Sequence, residues 1–112
     1  MINPTIHKIL HRGVAIPAHP LALTANRKLD ERRQRALARY YIDAGSGGLA
    51  VAVHTTQFAI RKPEIGLYKP VLQIAAEEMN RADEKRKERL VRIGGIAGPT
   101  QQAVAEATLL RD

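Results

Sequence analysis

The stretch Leu49-Ala50-Val51-Ala52-Val53 is an unbroken apolar run that stops at His54 and two adjacent hydroxyl residues, Thr55 and Thr56. A run without polar alternation fits a strand of a parallel sheet covered on both faces. Parallel strands need long crossover connections, which are usually helices. The run therefore constrains its surroundings: helical segments should lie on either side, with further strands beyond them.

The flanking sequence meets that demand. Gly13 to Ile16 reads as a first short strand, stopped by Pro17 and Pro20. Asp30 suits a helix N-cap, and Glu31 suits the positive end of the helix dipole. Ala36, Leu37, Tyr40, Tyr41 and Ala44 share one helical face, which predicts that both tyrosines pack in a core. Gly45 stands where a left-handed terminator belongs. A second helix should begin near Leu67 or Tyr68, because Pro70 is tolerated only in a first turn. It carries Val71, Leu72, Ala75, Ala76 and Met79 on one face, and the charged tract from Arg81 to Arg89 extends it or forms its exit. Leu90 to Ile96 reads as a third strand. Gly98 and Pro99 turn the chain, and Thr100 caps a third helix with Val104, Ala107 and Leu110.

The result is an α/β chain of three βα units, spaced about 35 to 42 residues strand to strand. Right-handed crossovers of this kind suit a doubly wound sheet or a (β/α)₈ barrel. No linker divides residues 1–112, and the last helix has no stop signal. The expectation is a portion of one domain that continues in a longer parent.

Composition narrows the function classes. Without cysteine there is no disulfide, no thiolate metal site and no cysteine nucleophile. No segment approaches the roughly 20 apolar residues that cross a bilayer, and the first ten residues make a poor secretory signal. A cytoplasmic protein with no membrane partner is the resulting expectation. The net charge of +7 comes largely from two clusters, Arg27, Lys28, Arg32, Arg33, Arg35 and Arg39, then Arg81, Lys85, Arg86, Lys87 and Arg89. Acids such as Asp30, Glu31, Asp83, Glu84 and Glu88 interleave with them, which describes solvated helix surface better than a nucleic-acid interface. The glycines at 94, 95 and 98 lack dinucleotide-fingerprint spacing.

Four features in order resemble the amino-terminal part of the dihydrodipicolinate synthase family, within the pyruvate-dependent class I aldolases. The first is the proline-containing loop Ala18-His19-Pro20, followed by Leu29-Asp30 before a helix. The second is the helix end Asp43-Ala44-Gly45-Ser46-Gly47-Gly48-Leu49. The third is His54-Thr55-Thr56-Gln57-Phe58, set against the family's Gly-Thr-Thr-Gly-Glu, of which the Thr-Thr pair is kept. The fourth is Ile93-Gly94-Gly95-Ile96-Ala97-Gly98-Pro99-Thr100. The resemblance spans about Gly13 to Asp112. It implies the first three βα units of a (β/α)₈ TIM barrel, with helices on one face of parallel strands. It also implies a Schiff-base lyase or aldolase that acts on a small 2-keto acid such as pyruvate, needs no cofactor or metal, and is a homo-oligomer as the whole protein. The Schiff-base lysine and the proton-shuttling tyrosine belong to later strands, so no catalytic residue falls in this chain.

By position, Thr55 and Thr56 would hold the keto acid's carboxylate through hydroxyl and backbone N–H groups, orienting the carbonyl for attack by an amine. His19, in the first strand-to-helix loop, and His54 are further candidates for substrate contact, each with packing as the plainer reading. Arg61 could recognise a second anionic group. His7 and His11 precede the first strand without an evident partner, so no metal site is assigned to them. Two other readings stay open: a self-contained α/β module that recognises an anionic partner through its Arg-rich helices, and a different (β/α)₈ enzyme.

Overall fold

The computed structural model describes residues 2–111. Five of the six expected elements are present, one helix is added, and the expected first strand at Gly13 to Ile16 is replaced by an isolated bridge at Ala18. Helix α1 spans Pro4–Arg12, where no element was predicted. Its signals are local: the Asn3 side chain accepts from the Thr5 N–H, Pro4 opens the first turn, and Gly13 closes the helix at φ 94°. Helix α2 covers Glu31–Asp43, capped by Asp30, whose carboxylate accepts from the Arg33 N–H at 3.0 Å. Gly45 follows at φ 103° as the left-handed terminator.

Strand β1 covers Gly48–Val51. Two short 3₁₀ turns, His54–Thr56 and Phe58–Arg61, replace the irregular loop expected there. Helix α3, Tyr68–Asp83, places Pro70 in its first turn and reaches past Arg81. Strand β2, Val91–Gly94, pairs parallel to β1 in the register Gly48 to Val91 and Val51 to Gly94. Helix α4 covers Thr100–Arg111.

The first strand is displaced and weakened relative to the sequence reading. It pairs with β1 as a single parallel bridge, Ala18 to Ala50. Hydrogen bonds run from the Gly47 N–H to the Ala15 carbonyl, from the Ala50 N–H to the Pro17 carbonyl, and from the His19 N–H to the Ala50 carbonyl. Pro17 has no N–H to return to β1, so the ladder cannot extend. The spatial order is nevertheless first segment, β1, β2, all parallel.

The core lies between the strands and helices α2 and α3, built from Ala38, Ile42, Leu49, Val51, Val71, Ala75, Met79 and Leu90. The face of α3 agrees with its periodicity. The face of α2 is turned from the expected one. Gln34, Ala38 and Ile42 are buried, whereas Ala36 and Ala44 are exposed and Tyr40 is 68% exposed. Tyr41 alone of the two tyrosines packs against the core. The turn follows from inward polar tasks: the Gln34 amide accepts from the Ala22 N–H and donates to the Pro20 carbonyl. Helix α4 also departs from its pattern. Val104 and Ala107 are exposed, and the buried residue is Glu106. Among the described residues, no helix is long and apolar enough to cross a membrane.

Candidate functional site at the carboxyl end of the strands

In open parallel α/β sheets, ligands bind beyond the carboxyl ends of the strands. Here the backbone at that end is held in an unusual shape. Ala52, the first residue after β1, has φ 64°, and Gln57 has φ 79°. Left-handed conformations cost a non-glycine residue about 1–2 kcal/mol, and they persist only where surrounding contacts fix them. The two bracket the turn that carries His54, Thr55 and Thr56.

The fixing contacts are specific. The Ala52 N–H donates to Thr56 Oγ1 at 3.1 Å, and that hydroxyl donates to the His19 carbonyl at 2.5 Å. Thr56 thereby ties the end of the first segment to the end of β1. On the other side, Arg61 Nη2 donates to the carbonyls of Ala52 and Gly95, both at 2.9 Å. Arg61 thereby ties β1 to β2. Gly95 must be glycine, because a Cβ there would collide with the Ala52 carbonyl.

Arg61 is itself enclosed, with its side chain 8% exposed. Its Nε donates to Glu106 Oε1 at 2.9 Å, so α4 is held to the strand ends by an ion pair. The guanidinium lies 4.6 Å from the Tyr68 ring centre and 5.5 Å from that of Phe58. The Tyr68 hydroxyl donates to the Gly95 carbonyl at 2.7 Å. Burial pushes the Glu106 carboxyl up, but donors from Arg61, Gln102 and the Ala97 N–H outweigh it and hold the group below its ordinary value. Burial, and next the Glu106 charge, push the Tyr68 phenol up, with Arg61 offsetting them only in part. One guanidinium nitrogen, Arg61 Nη1, is buried without a hydrogen-bond acceptor. Buried donors are almost always paired, so this is a group with unspent capacity.

The structure separates the expected site residues. Thr55 and Thr56, expected to hold a carboxylate through hydroxyl and backbone N–H groups, are placed differently: Thr55 is exposed, whereas Thr56 is fully buried with its hydroxyl committed to backbone groups. A 3₁₀ turn rotates successive side chains apart, and Thr56 takes the inner position. His54 is exposed and meets the Phe58 ring edge-on at 5.7 Å.

His19 is fully buried and packs against α2. Its Nδ1–H donates to the Pro20 carbonyl at 2.8 Å, beside the Gln34 amide and the edge of Tyr41. Burial lowers its pKa below the ordinary histidine value, with the Pro20 contact opposing. His19 is thus a packed, neutral histidine whose Nε2 is orphaned in the interior. Arg61 does reach the strand ends, although inside the protein and not on an exposed loop.

Sequence reasoning missed Ala52, Gln57, Tyr68 and Glu106. Neither Ala nor Gln signals a positive φ. The one available hint for Glu106 was a carboxylate in the middle of an otherwise apolar helical stretch.

No protein-family model matches the chain, and neither a curated protein nor a solved structure does.

Proposed function

We propose that the chain is the amino-terminal part of a Schiff-base-forming lyase or aldolase that acts on a small 2-keto acid such as pyruvate, on a (β/α)₈ barrel. The observation that carries this reading is the strained turn beyond β1. Two non-glycine residues at positive φ bracket an exposed threonine, at the end of a parallel sheet where α/β proteins bind ligands. The order of the three parallel segments agrees with successive barrel strands.

Within this reading the roles are redistributed. The Thr55 hydroxyl and the backbone of its turn hold the keto acid's carboxylate. Thr56 positions that turn through its bonds to Ala52 and His19. Arg61 positions the ends of β1 and β2, and His54 and Phe58 form the rim. None of the six lysines is buried. A Schiff-base amine is best activated by desolvation, so the reading assigns the nucleophile to a later strand of the parent protein.

The Arg-rich helices lend less to an anion-binding module, because Arg35, Arg39 and Arg81 are engaged by acids of the same chain. Borohydride reduction in the presence of pyruvate tests the proposal. The whole parent protein should gain the mass of one reduced adduct, on a lysine outside residues 1–112. An adduct within these residues, or none in the parent, would remove the reading.

A further inference from the structure

His7 and His11 have no part in the strand-end site. Helix α1 places them one turn apart on the same side, and both are exposed. Their ring centres stand 4.2 Å apart with the planes inclined at 42°. Neither ring hydrogen bonds to another residue among the described residues, so all four imidazole nitrogens are uncommitted.

We infer that His7 and His11 form a two-histidine clamp for a divalent transition-metal ion of the Zn²⁺ and Ni²⁺ class. Histidines at positions i and i+4 of a helix supply two ligands to one ion from a single face. Metal–nitrogen bonds of about 2.0–2.1 Å in a tetrahedral shell put two donor atoms roughly 3.3 Å apart. Ring centres 4.2 Å apart put the two side chains within reach of a single ion.

The local field helps. His11 lies in the last turn, where unsatisfied carbonyls give the helix its negative end. Of the two neighbouring cations, Arg12 is neutralised by a two-pronged contact with Glu88 at 2.5 and 3.0 Å. Lys8 faces away, into the groove between α1 and the segment at Lys87 and Glu88.

No group of three or more His, Cys, Asp or Glu residues that could hold a metal ion occurs among the described residues. The clamp therefore leaves the remaining coordination positions to water or to a ligand from another molecule, as an open site and not a structural one. The inference is independent of the keto-acid reading, since α1 lies outside the strand-end cluster.

Calorimetric titration of the 112-residue chain with Zn²⁺ and separately with Ni²⁺ tests it. One ion should bind per chain. His7→Gln and His11→Gln should each weaken binding about 10–100-fold, at least the loss seen when a mere outer-shell partner is removed. His54→Gln, at the other exposed histidine, should leave it unchanged. The double variant Lys8→His with His11→Gln keeps the histidine count but puts the two side chains at adjacent positions, which do not face each other, and it should bind as weakly as His11→Gln. Far-UV circular dichroism establishes that each variant is folded, which the exposure of these positions favours. Equal affinity in the wild type and in either single variant, or equal losses on removing His54, would overturn the clamp.

Discussion

Thr56 carries more structural weight than its size suggests. Its hydroxyl spends one donor and one acceptor on backbone groups at the end of the first segment and just after β1, in a fully buried position. Thr56→Val keeps the volume but strands the Ala52 N–H and the His19 carbonyl. It should destabilise the chain by about 1–3 kcal/mol, read from urea unfolding midpoints. Thr55→Val should change stability by less than about 0.5 kcal/mol, because that hydroxyl is exposed. Similar losses for the two would show that Thr56 has no special role.

His19 supplies a pH dependence. Burial holds its folded pKa below the ordinary 6.5, so the unfolded chain binds the proton first. Stability should therefore fall as pH drops below about 6.5 towards the folded value. His19→Asn, which keeps a donor for Pro20 but cannot titrate, should flatten that part of the urea midpoint–pH curve. An unchanged slope would assign the dependence elsewhere.

At the scale of elements, helices α2 and α3 are joined by apolar packing and by a buried carboxylate. The Glu78 side chain is 2% exposed and accepts from Arg35 Nη1 at 2.9 Å, from Arg39 Nε at 2.8 Å and from Arg81. Burial pushes its pKa up, yet the Arg39 and Arg35 hydrogen bonds prevail and the group stays below its ordinary range. Its stabilisation is present above the ordinary carboxylate range and is lost as acid protonates the folded form.

The partners are unequal. Arg39 and Arg81 are largely exposed and can turn to water, whereas the carboxylate cannot. Glu78→Ala should cost about 1.5–3 kcal/mol, and Arg39→Ala no more than about 1 kcal/mol. Thermal melts of both variants check the asymmetry, which equal shifts would contradict. Periodicity puts position 78 on the buried face, three after Ala75 and seven after Val71, but it could not reveal the partner, because only the tertiary structure brings Arg35 of α2 to it.

For the whole molecule, the decisive property is an incompletely covered sheet. The helices α2 and α3 cover Leu49 and Val51, but Ala50 remains half-buried, Ile93 is 42% exposed and Ile96 is 50% exposed. The strand pair ends after β2 and, on the other side, at a segment that makes one bridge. Exposed strand edges beside apolar side chains favour association. The isolated 112-residue chain should therefore sediment as a concentration-dependent oligomer, and Ile93→Lys should shift it towards monomer. A wild-type chain that sediments as a monomer at every concentration tested would contradict this.

By itself the sequence determined the α/β class, the order of the elements from α2 to α4 and the start of α3. Those properties follow from short-range physics: an apolar run, caps at Asp30 and Gly45, and a proline confined to a first turn. It also marked the end of β1 as the place where polar groups gather. Only the tertiary structure decided which side each of those groups takes. Thr56 turns inward because two backbone groups, one of them on His19, 37 positions away, need its hydroxyl. Arg61 is drawn inside by the carbonyls of Ala52 and Gly95 and by Glu106, 45 positions along the chain. Contacts between residues so far apart leave no local signature, because the partner that sets a side chain's direction is chosen by packing and not by its neighbours in sequence.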